Sequence, residues 1–465
     1  MKLNAKFFAL FLGVLSLASL AHAVDTLEVF VLRVQFQEES KDNSLTTGSG
    51  LFDSDTATYN LDPSGSRKSI HYWKKHLGFA NAYYQAASNG ELFIKDSIIP
   101  TVYTLDKQMI DYNRTQRLEG EKAAEYDSAR TCDYVRFVYD VVMKAHGSKD
   151  SPFNIPLSKN PNTRRAFMIA HAGASSLVDG GSMGTKGANT PGDFWDSFIS
   201  GVFWTYLPDT LLGVTISEDS LNNGIVLKGS SIDTLKSVMV VSETASQDGL
   251  NWGINGFVVN QIGRELGLPN TYDAAKGISR LGYFDMMDFA GYNAGNGFFP
   301  VLPAAWERAY MGWSKIQEVH PTAGHPVSVD IAAAGSGLGT EIVKVALSAN
   351  EYILIENRQR SWNKDGMVTV YRGEAVQNDD VDSILVSVDS LHLVFEDSVC
   401  TKGKCKRNTK KAKGLILGVS SFDAALPASG IAVWKVNDWY LRQSLQYGTA
   451  NLWGGEQYRD HQYGL

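Results

Sequence analysis

Three polar side chains stand at a spacing that brings them together on one helix: Asn260, Gln261 and Arg264, within NWGINGFVVNQIGRELGLPNTYD from Asn251 to Asp273. Residues four apart share a helix face, so Asn260 and Arg264 point the same way and Gln261 stands beside them. Two ligands four apart, with a base next to the first, is how a helix presents a metal ion and the water it activates. The residue types here withhold that chemistry. Metal binding needs neutral imidazoles, thiolates or carboxylates. A guanidinium stays protonated, has no lone pair to offer, and sets a positive charge about where the cation belongs. Gln261 has nearly the shape of glutamate, yet an amide accepts no proton at neutral pH, so general-base activation of water is lost too. What remains is hydrogen bonding and charge. The expectation is that Arg264 takes the metal's place and pairs with a carboxylate such as Glu243, Asp273 or Asp285, since a buried cation requires partners. The alternative is a surface arginine on a repurposed helix.

The elements that must position these residues follow from periodicity. DTLEVFVLRVQFQE, from Asp25, alternates as a strand does. Ser69 to Leu92 places Trp73, Leu77, Ala80 and Tyr84 at helical spacing and stops at Asn89-Gly90. His71 and His76 are five apart, off a common face, and read as surface or packing residues. A second helix is predicted over about Ala123 to Lys144, and a buried strand over Thr163 to Ser175 contains His171. A lone histidine there is a hydrogen-bonded structural residue more often than a ligand. SVMVVSETA, Ser237 to Ala245, is a strand carrying Glu243, and the Asn260 helix follows it over about Gly256 to Gly267. Leu302 to Trp313 has Trp306, Tyr310 and Trp313 as an apolar stripe, expected in the core. Beyond about residue 318 the pattern turns to consecutive strands separated by Gly, Asn and Asp turns, a β-sandwich-like domain.

These segments resemble, in order, the immune inhibitor A-like family of secreted metallopeptidases. Its H-E-x-x-H segment runs G-V-x-x-H-E-F-G-H-A-L-G-L-P-D-L-Y-D, with two histidines on zinc and the glutamate as base. This chain keeps Gly256, Gly263, Leu266, Gly267, Leu268, Pro269, Tyr272 and Asp273 in matching register. It departs at both histidine positions (Asn260, Arg264), at the base (Gln261) and at Asn270, where the extended pattern would use an aspartate as third ligand. Tyr84, Ser88, Gly90 and Leu92 match the family's Y-x-x-x-S-x-G-x-L, and His171 its H-A-G strand end. Asp193 to Asp196 falls on its D-I-W-S-H-R-W, with Phe198 where a histidine is expected. Met286 or Met287 would form the methionine turn under the zinc, here for packing alone. LPAAWERAYMGW, EYILIENRQ and LPASGIAVWKVND answer three further motifs, the last with Lys435 in place of histidine.

The resemblance implies an α+β fold: a zincin-like domain over residues 24–317, then a β-rich domain over 318–465, with the C-terminus expected to be truncated. It implies zinc as the family's cofactor, with none expected here. Residues 1–23 read as a signal peptide: Lys2 and Lys6, an apolar run from Phe7 to Leu20, then Ala21-His22-Ala23. An uncleaved anchor helix is the other reading. No later run approaches the roughly 18 to 20 apolar residues of a membrane span, so a secreted, periplasmic or cell-surface protein is expected. The formal net charge of -7 argues against general affinity for nucleic acid. Cys400 and Cys405 flank TKGK and could close a disulfide in an oxidising compartment, a zinc knuckle being the poorer alternative. Cys132 reads as a half-buried free thiol. The basic run from Lys402 to Lys413 is a solvated loop tip or a patch for an acidic partner or glycan. Two function classes follow. One is an exported pseudoprotease that binds or scaffolds an extracellular or periplasmic protein or peptide, its cleft open to an added strand. The other is an active zinc endopeptidase with non-standard ligands, drawn from unrelated acids and His171.

Overall fold

The computed structural model describes residues 25–40, 45–52, 62, 67–178, 190–208, 211, 213–216, 223–247, 250–272, 279, 281–288, 291, 294–374, 381–394, 398–401, 404–407 and 414–439. The chain is mixed α+β. A five-stranded sheet has the order β2-β1-β3-β8-β4, from β1 (Asp25–Gln35), β2 (Leu92–Thr104), β3 (Thr163–Ala174), β4 (Ser197–Ser200) and β8 (Ser237–Thr244). The strands run parallel except β4, which pairs antiparallel with β8 at the edge. A parallel sheet is covered on both faces, and β1 is buried almost throughout accordingly. Between β4 and β8 lies a small sheet of β5 (Val214–Thr215), β6 (Gly224–Val226) and β7 (Thr234–Leu235).

The helices are α1 (Ile70–Ala87), α2 (Ala123–His146), α3 (Asn255–Leu266) and α4 (Ala305–Tyr310). Ser69 caps α1 by accepting from the His71 N–H at 3.1 Å. The helix ends where Asn89 and Gly90 turn to φ 53° and 86°, a conformation the Asn-Gly pair tolerates. Trp73, Leu77, Ala80 and Tyr84 are all buried, as their spacing predicts. α2 brings Phe137 onto Phe36 and Phe194. α4 is shorter than the predicted Leu302 to Trp313 helix, and the stripe expectation is corrected: Trp306 and Trp313 are buried, but Tyr310 is 51% exposed, stacked on Trp306.

Downstream, β9 (Ile316–Val319), β10 (Ile342–Ala346), β11 (Glu351–Arg358) and β17 (Gly430–Asn437) form a sheet of order β17-β11-β10-β9. β12 (Met367–Gly373), β13 (Val381–Ser387) and β16 (Leu415–Val419) form a second, and β14 (Ser398–Thr401) with β15 (Lys404–Arg407) a hairpin. Their arrangement differs from the expected sandwich. Val368, Val370, Leu415 and Ile416 join the core of the first sheet and its helices, with β16 against α1. Ile342, Leu354 and Val436 instead cover Ala305 and Trp306 of α4. The reason lies in burial: each sheet's apolar face meets a helix that has apolar surface to cover, so one core runs across residue 318.

Among the described residues no helix is long and apolar enough to cross a membrane. Residues 1–23 and the C-terminal stretch 440–465 lie outside them, as do the side chains of the Lys402 to Lys413 run and of Cys400 and Cys405. In the backbone, Cys400 pairs directly opposite Cys405 across the β14–β15 hairpin. Cys132 is half-buried and free.

Candidate functional site

α3 is held in a frame of close contacts that explains the glycines of its motif. A Cβ on Gly256 would stand 1.8 Å from the Gly291 carbonyl oxygen. One on Gly263 would meet Met287 Sδ at 2.8 Å, Met286 Cε at 3.0 Å and the Tyr84 hydroxyl at 3.1 Å. That hydroxyl donates to the Val259 carbonyl at 2.6 Å, and His76 Nδ1 meets Asn255 Oδ1 at 2.8 Å, so α1 clamps α3 along its length. Burial pushes His76 down to about 4 and keeps it neutral. The helix stops at Gly267, φ 97°, where Leu268 N–H closes on the Gly263 carbonyl at 2.9 Å.

On this frame Asn260 and Arg264 meet as the spacing predicts, while Gln261 bonds to neither. Arg264 Nε donates to Asn260 Oδ1 at 3.2 Å. Asn260 Nδ2 donates in turn to the Met286 carbonyl at 3.2 Å and lies 3.9 Å from Met287 Sδ. Asn270, oriented as its neighbours require, accepts from an Arg264 NH2 at 3.0 Å and donates to the Met287 carbonyl at 2.7 Å. The guanidinium therefore bridges the amides of Asn260 and Asn270, and both amides are tied to the Met286-Met287 turn. Met286 and Met287 are buried beneath them, and their main chain does more than pack. Gln261 is 0% exposed, and neither its amide oxygen nor its nitrogen has a hydrogen-bond partner among the described residues.

Zinc does not fit this donor set. Asn260 and Asn270 spend their oxygens on a cation that is already present, Arg264, and a protonated guanidinium excludes a second one. Gln261 offers no basic atom. Among the described residues no group of three or more His, Cys, Asp or Glu is placed to hold a metal ion.

The remaining candidates are dispersed in hydrogen bonds of their own. Glu243 is buried and accepts from the Gly173 N–H at 2.8 Å. Asp285 accepts from Thr271 Oγ1 at 2.5 Å and from the Ala304 N–H at 3.0 Å. Asp273 lies outside the described residues. His171 is buried among Phe36, Phe137 and Phe194. Its Nδ1 donates to the Ala172 carbonyl at 2.8 Å, which leaves Nε2 to accept from Ser242 Oγ at 3.2 Å. Burial pushes it down to about 4. This serine–histidine contact has a carbonyl where a triad has an orienting acid, and both side chains are fully buried, away from any substrate. Phe198 is buried on β4, and Lys435 sits on an exposed sheet face beside Glu351 at 3.3 Å.

Several buried polar groups escaped sequence reasoning. Asp196 accepts from the Ser242 N–H at 2.7 Å and from Ser175, while burial raises it to about 6. Asp62 gathers Arg67 at 3.1 Å, Tyr72 at 3.0 Å and Thr244. Half-buried Glu265 is raised to about 7 by desolvation, with Ser237 Oγ donating to it at 2.8 Å. A further cluster carries the charges of WERAYMGW and YILIENRQ. Arg308 pairs with Glu341 at 3.0 Å and Glu356 at 2.5 Å. Arg358 grips Asp423 through two bonds at 2.6 and 2.7 Å. Burial, then the Asp285 carboxylate, pushes Glu307 well above the usual range. The signal was available: charged residues inside otherwise apolar segments must be paired when buried.

No protein-family model matches the chain, and no curated protein does. Among solved structures it is similar to the crystal structure of wild type OgpA from Akkermansia muciniphila. That similarity has 11% identity over 90% of this chain and 85% of that one, with a TM-score of 0.26, too low to carry an argument.

Proposed function

We propose that this chain is an exported, zincin-like protein of the immune inhibitor A-like type whose catalytic centre has been replaced, and that it acts as a binding or scaffold module. The observation that carries the reading is the Asn260–Arg264–Asn270 bridge. A guanidinium hydrogen-bonded to two amides takes the position that a metal and its ligands would hold, while the frame of Gly256, Gly263, Met286 and Met287 is kept around it. Full burial of Asn260 and Gln261 supports the same reading, since a hydrolytic base must reach water and substrate. It also tells against peptide binding at this spot, so the binding role we propose lies elsewhere on the surface. The signal-like residues 1–23 support export.

The test compares the unaltered protein with a variant carrying Asn260→His, Gln261→Glu, Arg264→His and Asn270→Asp, each assayed on an unfolded protein substrate with and without chelator. Cleavage gained only by the fourfold variant is the expected result. Chelator-sensitive cleavage by the unaltered protein overturns the proposal.

A further inference from the structure

Far from α3 in sequence, a cavity of about 650 Å³ opens between the 332–338 segment and the loop that follows β11. Its size is that of a small-ligand site. Trp362 lines it, 51% exposed. An indole standing half in solvent, with no stacking neighbour among the described residues, forgoes the burial that normally holds a tryptophan.

The polar groups around it narrow the class of ligand. The loop's own main chain is already engaged: Gly366 N–H bonds the Asn363 carbonyl at 3.1 Å, Val388 N–H the Gly366 carbonyl at 3.0 Å, and Arg360 N–H the Ser429 hydroxyl at 3.0 Å. These bonds interrupt the ladder that a peptide would join along this loop. Arg360 is likewise committed, to Asp389 at 2.8 Å and to the carbonyls of Val388 and Ala424. Apart from Lys364, what remains free among the described residues is neutral and mostly accepting or bidirectional. Gln359 uses only its nitrogen, on Asn357 at 2.6 Å, and Asn363 only its nitrogen, on Met367 at 3.2 Å. Both amide oxygens are left over. Ser336 accepts from Leu338 N–H at 3.3 Å and keeps its proton to donate. Lys364 completes the wall.

We infer that this cavity is a carbohydrate-binding site, with a pyranose ring laid on the Trp362 indole and its hydroxyls bonded to the free amide oxygens of Gln359 and Asn363. A sugar ring pairs an apolar C–H face with a rim of hydroxyl donors, and that is the pairing an exposed indole beside neutral acceptors completes. The site is separate from the α3 centre, so its fate is independent of whether that centre is inactive.

The full chain is tested on immobilised neutral oligosaccharides (chitotriose, cellotriose) and acidic ones (sialyl-lactose, tri-galacturonate). Retention of at least one is expected, weakened about tenfold by Trp362→Ala, with Trp362→Phe recovering much of it. Gln359→Ala, a second variant in the wall, is expected to weaken binding of the same ligand. An acidic preference lost in Lys364→Ala supports the site with that lysine included; a neutral preference supports it without. No retention by the unaltered chain, or retention undiminished in Trp362→Ala with its melting temperature unchanged, overturns the inference.

Discussion

At the scale of single residues, the polar stretch of α3 is a place where polar groups are either traded among themselves or left unused. Gln261 is the unused one: buried, with both amide atoms lacking a partner. A buried polar group without a bond costs about 1–3 kcal/mol, so Gln261→Met, similar in length and apolar, should stabilise the fold by roughly that amount in urea unfolding. A loss of stability would mean the amide is in use. Glu265 makes a second residue-scale test. Desolvation raises it from 4.5 to about 7, so between those values the folded chain holds a proton that the unfolded chain has released. Stability therefore falls as pH rises through this window, and the loss is complete above it. Glu265→Gln cannot titrate yet still accepts from Ser237. It should melt roughly 2 °C or more above the unaltered protein at pH 8, with the advantage gone at pH 4. An equal advantage at both pH values would refute the assignment.

At the scale of elements, α3 shows what spacing can and cannot reveal. That Asn260 and Arg264 share a face follows from helical geometry alone, and their bond at 3.2 Å realises it. The partners of Arg264 were harder to read: the bonds described go to the amides of Asn260 and Asn270, and Asn270 is brought in by the turn after the Gly267 cap. No periodicity encodes that turn. The glycines in the motif were visible as a pattern, but their reason, the approach of Gly291 and of the methionine pair, is a long-range packing fact. Gly256→Ala should cost roughly 3 kcal/mol because its methyl would overlap the Gly291 carbonyl. Gly78→Ala, on the exposed face of α1 with nothing within 4 Å, should instead stabilise by about 0.5–1 kcal/mol. Equal effects in thermal melts would contradict the close-approach account.

At the scale of the whole molecule, the strands of both halves were legible from alternation and from the change of pattern near residue 318, whereas their packing was not. Alternation says which face of β12 or β16 is apolar, and says nothing of what covers it. The cover turns out to be α1 and the core of the first sheet, while Arg358 and Asp423 join β11 to the segment before β17. Residues 318–465 expressed alone should therefore lack cooperative unfolding and dispersed amide resonances, since Val368, Val370, Leu415 and Ile416 lose their partners. A folded fragment would argue for two independent cores.

The claim on which the rest depends is that the Arg264 guanidinium has displaced any metal from the centre of the molecule. Native mass spectrometry of the unaltered chain, titrated with micromolar zinc and then with chelator, reads this without relying on activity. The chain should keep its metal-free mass throughout, while one zinc per chain, removed by chelator and absent when Asn260 and Asn270 are changed to alanine, would contradict it.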